Sequence, residues 1–247
     1  MHKKSGFTLA EVLITMAIIG VVAALTSPAL VGSFQKSKVG PSLRRFVTNL
    51  ENANEHIMAD TDAVRLSDVA TSNQEYLETL SKYLNGATQK KNDSNEIMKL
   101  SDLTLSAKNY SGKADGAPTG DALIYTFNGD DAFAVNFYAA DIRTTNRAKA
   151  NNRGAYKGDI GTVYYDLNGF NTKPNRLGKD IFVFHLDDTG MLIPEGGKLQ
   201  WNAYTQTANE QTWKSDKKNL CGTEGVTTGA SCAGSVADNN WKVIYKY

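Results

Sequence analysis

Histidine and cysteine are scarce: three histidines and two cysteines occur in 247 residues. Neither recurs at the spacing of a zinc site, a redox pair or a serine or cysteine hydrolase. Glycine never gathers into a phosphate-cradling loop, so the energy for any driven step must come from another protein. An excess of one charge is missing as well, with 27 Lys and Arg facing 26 Asp and Glu. General binders of nucleic acid or of anionic membrane carry a basic surplus, and this chain has none. No internal repeat is visible. The absences argue against an enzyme, and His56 and His185 read as structural residues.

What the sequence does contain is one long apolar run. From Phe7 to Phe34 every residue is apolar, small or hydroxylic except Glu11. At about 1.5 Å per residue such a run crosses a bilayer core of roughly 30 Å as a single helix. A carboxylate within a membrane segment costs about 2.5–3.5 kcal/mol on insertion scales, which makes Glu11 a functional candidate in need of a cationic partner. Lys3 and Lys4 precede the run, so the positive-inside rule puts the N-terminus in the cytoplasm and the bulk of the chain outside.

Lys3-Lys4-Ser5-Gly6 followed by Phe7-Thr8-Leu9-Ala10-Glu11-Val12-Leu13 resembles the class III signal and N-methylation site of type IV pilins and type II secretion pseudopilins. The resemblance covers about the first 30 residues. It implies that prepilin peptidase cuts between Gly6 and Phe7 and methylates the new amine of Phe7, and that the apolar helix stays on the mature chain. Glu11 then becomes the fifth mature residue, the position whose carboxylate meets the N-terminal amine of a neighbouring subunit. Pro28 falls where many pilins carry a helix-kinking proline. Loss of Lys3 and Lys4 from the 27 basic residues leaves 25 against 26 acidic ones.

The physical chemistry points the same way. A nearby ammonium offsets the desolvation of a buried carboxylate, so one glutamate and one free N-terminus per subunit staple neighbours in register. Ala17, Gly20, Ala23 and Ala24 let helix backbones approach closely. A conventional signal peptide has a shorter core and a small-x-small cut, whereas Ala24-Leu25-Thr26 is a poor one. A plain anchor leaves both the Gly6–Phe7 junction and Glu11 without a purpose.

Past the run the helix is expected to continue as an amphipathic spine. Val39, Leu43, Phe46, Val47, Leu50, Ala53 and Ile57 form its apolar face, with Arg44, Arg45, Glu51, Asn54 and Glu55 between them on the polar one. Gly40-Pro41 predicts a second kink or break. Thr61 to Asp68 reads as a connection, and a helix starts at Ser72 with a capping box to Glu75 and ends at Asn85-Gly86. Thr88 to Asn95 reads as a polar run, and Ser111 to Gly120 as a loop. Strands are expected at Leu123–Phe127, Phe133–Tyr138, Thr162–Leu167, Ile181–Leu186 and Met191–Ile193, with Asn128-Gly129 turning the first hairpin and Trp241–Tyr247 closing the sheet. Trp201, Trp213 and Trp241 read as packing anchors. The fold class is α+β: a long N-terminal helix, membrane-spanning in its first half, packed on a globular head with an antiparallel sheet. The expected divisions are a leader at 1–6, a spine at 7–60 with its transmembrane part at about 7–31, and an extracytoplasmic head at 61–247.

Two further features belong to the head. Cys221 and Cys232 sit in a Gly/Ser/Thr-rich stretch and, in an oxidising compartment, most simply form one disulfide, which would stabilise by on the order of 2–3 kcal/mol, the alternative being two free thiols. Asp166, Asn168 and Asp180 lie in a run with Lys173-Pro174-Asn175 and Gly178 that is dense in the hard oxygen ligands of calcium, and equally in ordinary turn residues. No other cofactor is expected. The partners implied by the resemblance are prepilin peptidase, other pilin or pseudopilin subunits, an assembly platform in the inner membrane, and membrane lipid. The function expected is a structural subunit of a pilus or pseudopilus, the alternative a minor pilin whose head binds at the tip in adhesion or DNA uptake.

Overall fold

A computed structural model describes residues 6–102, 121–127, 130–137, 159–172, 175–197, 221 and 229–245. Helix α1 (Leu9–Asp60) is continuous, yet packing divides the chain at its middle into two units, Met1–Lys38 and Val39–Tyr247.

In the first unit the side chains from Gly6 to Thr26 are exposed. Leu9–Thr26 is the stretch long and apolar enough to cross a membrane. Thr15 and Thr26 donate their hydroxyls to Val12 O and Val22 O, each at 2.9 Å, so their polar groups are satisfied inside the helix as an apolar surrounding requires. The helix continues across Pro28.

In the second unit α1 lies on a six-stranded antiparallel sheet whose order follows the chain: β1 (Thr88–Gln89), β2 (Leu123–Thr126), β3 (Ala132–Phe137), β4 (Asp159–Asp166), β5 (Ile181–Asp187) and β6 (Leu192–Pro194). Alternation along the strands builds two apolar layers. Phe133, Val135, Val163, Tyr165, Phe182 and Phe184 join the main core beneath α1, while Ala132, Ala134, Ile181 and Val183 face a smaller cluster with Leu100, Phe170 and Leu177. Register places Phe133, Tyr165 and Phe182 side by side across β3, β4 and β5. Phe46 of α1 stacks on Tyr165 at a centroid distance of 4.2 Å, so the longest apolar face of the helix meets the widest aromatic row of the sheet.

Helix α2 (Leu66–Val69) forms inside the segment expected to be a plain connection. Helix α3 (Asn73–Tyr83) starts where its cap directs: Ser72 Oγ accepts the Glu75 N–H at 3.2 Å, and the Glu75 carboxylate reaches back to the Thr71 N–H and hydroxyl. Tyr76, Leu77 and Leu80 are its buried face. Part of the run read as polar linker, Thr88–Gln89, is edge strand β1, paired with Thr126 and Tyr125.

Three expectations are overturned. Of the kink or break expected at Gly40-Pro41, the break does not occur, because the buried face from Val39 through Leu50 outweighs the one hydrogen bond proline removes. Gly40 serves contact instead: a Cβ there would overlap the Trp241 carbonyl. Asn54, placed on the polar face by its spacing, is fully buried. Trp241–Tyr247 adds no strand among the described residues: after α4 (Cys232–Asp238), Asn240 and Trp241 take left-handed backbone angles of φ 56° and 57°, which no strand tolerates. Trp201, Trp213, the Asn128-Gly129 turn and the Ser111–Gly120 loop lie outside the described residues.

Candidate functional site

Glu11 sits three residues into α1, and its neighbour Thr8 is the residue before the helix. Thr8 donates both its N–H and its hydroxyl to Glu11 Oε2 at 2.8 Å, and the Glu11 N–H approaches Thr8 Oγ1 at 3.3 Å. This is a reciprocal capping box. Glu11 stands out in the sequence by its charge, and the Thr8-Leu9-Ala10-Glu11 spacing is a second signal, that of the cap. Within a single chain the carboxylate is thus held at the helix start through Oε2, and Phe7 nearby is 88% exposed. The Gly6 position is open, with nothing within 4 Å of where a Cβ would stand.

Residues 1–27 match the family model of the prokaryotic N-terminal methylation motif. The match covers the N-terminal 27 residues, and the motif is the one whose resemblance to the N-terminus of type IV pilin-like proteins the residues around Gly6 and Phe7 carry. No curated protein and no solved structure matches the chain. The match ends within α1, so everything the head does has to be argued from the head.

Among the described residues, the head gathers buried, unsatisfied polar atoms at the mouth of the β4–β5 hairpin. Asp166 ends β4 and pairs in register with Ile181, which puts Asp180 beside it, and the Leu167 N–H bonds Asp180 O at 3.0 Å. Each carboxylate has one oxygen engaged: Asp166 Oδ1 takes the Asn168 N–H at 3.0 Å, and Asp180 Oδ1 takes the Arg176 N–H. The second oxygens, Asp166 Oδ2 and Asp180 Oδ2, are buried without a hydrogen-bond partner, as is Asn175 Oδ1. Asn175 is anchored through its Nδ2, which donates to Phe170 O at 2.7 Å, and its own N–H points to the Asp180 carboxylate. Asp166 is 0%, Asp180 4% and Asn175 6% exposed.

Burial pushes the Asp166 carboxyl up to about 8, with the charge of Asp180 adding to it and the N–H groups of Asn168 and Gly169 opposing it. Burial also raises Asp180, against four backbone N–H groups. Among the described residues no lysine or arginine pairs with either carboxylate. Two dehydrated acids and an amide oxygen are ligands of the hard oxygen class, and the same loop also buries Arg176 Nε without a hydrogen-bond partner. Among the described residues no group of three or more His, Cys, Asp or Glu that could hold a metal ion occurs. Asn168 contributes its N–H to the loop. Asn175, which the sequence shows only as part of the surrounding run, is brought by folding to donate its N–H to the Asp180 carboxylate.

Cys221 and Cys232 are joined in a disulfide, closing the segment ahead of α4. His185 on β5 pairs with Glu195, and His56 is exposed on α1.

Proposed function

We propose that this pilin-like protein is cut between Gly6 and Phe7 by prepilin peptidase, resides in the inner membrane with its head outside, and polymerises through its apolar helix as a subunit of a type IV pilus or a type II secretion pseudopilus. The observation that carries the reading is the methylation motif at residues 1–27 leading into a helix whose first stretch, to Thr26, is apolar and unburied, with Glu11 as its acid held at the helix start. Packing those surfaces against copies of themselves removes them from lipid and water together. The Glu11 carboxylate, released from Thr8 or bridging from it, meets the Phe7 amine of an adjoining subunit.

Lys3 and Lys4 support the orientation. The size of the second unit, Val39–Tyr247, favours a minor component or a pseudopilin over a bulk fibre subunit. A tip-binding module is the rival. Glu11 weighs against it, since a subunit that must dock beneath another uses the acid and a terminal one has less need of it.

Two measurements test this. Mass spectrometry of the mature protein should find methylated Phe7 as the first residue, and a chain beginning at Met1 or beyond Thr26 would overturn the processing step. Glu11→Ala should be cut and retained in the membrane with a folded head yet enter fibres at roughly a tenth of the wild-type level or less, in keeping with loss of a buried ion pair. Incorporation at the wild-type level would assign the carboxylate to the helix cap alone. Counting this chain against other pilins in purified fibres separates a repeated subunit from a tip module.

A further inference from the structure

We propose that Phe34 and Lys38 form a binding site for the headgroup of an anionic phospholipid in the outer leaflet of the membrane that α1 crosses. The site rests on the membrane-resident reading above and deepens it. At about 1.5 Å per residue the stretch from Leu9 to Phe34, all within α1, measures about 38 Å, and Phe7 and Thr8 ahead of it bring the run to the thickness of a bilayer with its headgroup layers, about 40–45 Å. A helix that fills the bilayer with this run sets Phe34 in the outer headgroup layer. Lys38 comes one turn later, and side chains on a helix lean toward its N-terminus, which here is toward the membrane. Lys38 does lean this way: its Nζ stands 4.4 Å from the centroid of the Phe34 ring, so the ammonium is within reach of the layer that holds the ring. Phe34 is 58% exposed and Lys38 is exposed, so a lipid can touch both.

The charge beside the run points to the ligand class. A cut at Gly6–Phe7 removes Lys3 and Lys4, and the basic residues nearest the run are then Lys36, Lys38, Arg44 and Arg45, all on its outer side. The positive-inside rule accounts for Lys3 and Lys4 and not for these. Arg45 reaches Asp131 at 3.3 Å and serves the packing of the head. Lys38 lies over an aromatic face, and a cation held there keeps its charge and has N–H donors to give. An apolar ring with an ammonium beside it suits a lipid whose phosphate takes the charge while its glycerol and upper acyl carbons cover the ring. Lys36, on the same turn, adds a second positive charge. A choline next to the phosphate repels that charge, so the site prefers a headgroup of net negative charge to a zwitterionic one.

The experiment uses the full chain in detergent micelles holding equal amounts of phosphatidylglycerol and phosphatidylcholine with matched acyl chains, and native mass spectrometry counts the lipids that stay bound. Flotation with vesicles of the same two lipids checks membrane insertion separately. Lys3 and Lys4 are present in every variant, so the measure is the change that a substitution makes. Lys38→Gln should cut retained phosphatidylglycerol about fivefold and leave phosphatidylcholine unchanged. Phe34→Leu keeps an apolar side chain, removes the ring and should cut it about two- to threefold. Lys82→Gln, at an exposed lysine of α3, should leave both lipids unchanged. Lys38→Gln should float as the wild type does, since the apolar run is untouched. Retention of phosphatidylglycerol by Lys38→Gln at the wild-type level, or an equal loss in Lys82→Gln, would overturn the site and leave the membrane reading in place. So would displacement of phosphatidylglycerol by millimolar inorganic phosphate, the mark of a site for free anions. A wild-type chain that does not float would overturn the membrane reading and the site together.

Discussion

Glu51 shows how a residue read as solvated surface becomes part of the packing. Its Oε1 accepts the Leu192 N–H at 3.0 Å, tying α1 to the start of β6. Burial raises its carboxyl above the ordinary glutamate value, the Leu192 N–H offsets part of that, and the charges of Glu55 and Asp187 add to it. A carboxyl raised on folding binds more protons in the native state, so stability falls as pH climbs from the unfolded value of 4.5 through the raised one. Glu51→Gln keeps an acceptor for Leu192 and removes the charge. It should raise the denaturation midpoint at pH 7, leave it unchanged at pH 4, and flatten the profile between. A midpoint lowered equally at both pH values would show that the amide cannot replace the carboxylate. Asn54, next on the same helix, is spent wholly on neighbours: Nδ2 donates to Gly190 O and Oδ1 accepts the Tyr76 hydroxyl, both at 2.8 Å. Gly190 itself is at φ +86° with Asn54 Cβ 2.9 Å from where its own Cβ would stand, so the turn after β5 and the helix are shaped to each other.

At the scale of elements, α1 carries two kinds of glycine. Gly20 and Gly32 have open space where a Cβ would be, while Gly40 is covered by the Trp241 backbone. Alanine is favoured over glycine in a helix by roughly 0.5–1 kcal/mol, yet Gly40→Ala must displace the C-terminal segment and should destabilise by about 1–3 kcal/mol net. Gly32→Ala should leave the unfolding of the head unchanged. Urea titration followed by tryptophan fluorescence distinguishes them, and equal effects would show that Gly40 matters for the helix and not for the contact. The sheet shows the same division between local and distant causes. Strands β2 to β5 were legible from alternating apolar and aromatic residues, within two or three residues at their ends. Edge strand β1 was not, since Thr88 and Gln89 have no apolar pattern and are strand only because β2 offers a free edge.

Over the whole molecule, the disulfide anchors α4, which packs against β5 and β6. Cys232 is fully buried at the head of α4, and its pairing with Cys221 closes a loop with a sequence separation of 11. Cys221→Ser should lower head stability by on the order of 2–3 kcal/mol in chemical denaturation, leaving cleavage at Gly6–Phe7 and membrane residence unaffected. Free thiols titrating in unreduced protein, or a variant as stable as the wild type, would contradict it. The N-terminal unit and the head thus answer to different tests: Glu11→Ala acts on assembly and Cys221→Ser on folding.

The sequence by itself determined the features whose cause lies within a few residues. The apolar run from Phe7, the methylation motif around Gly6 and Phe7, the Ser72 cap and the central strands are all set by local composition and period. Tertiary structure decided the rest: which polar residues are interior, why Gly40 is small, and where the chain after Asp238 goes. The reason is distance along the chain. Asn54 meets Gly190 across 136 positions and Glu51 meets Leu192 across 141. Periodicity tells which face of an element is apolar, but a polar side chain's partner is fixed only when two remote elements come into register.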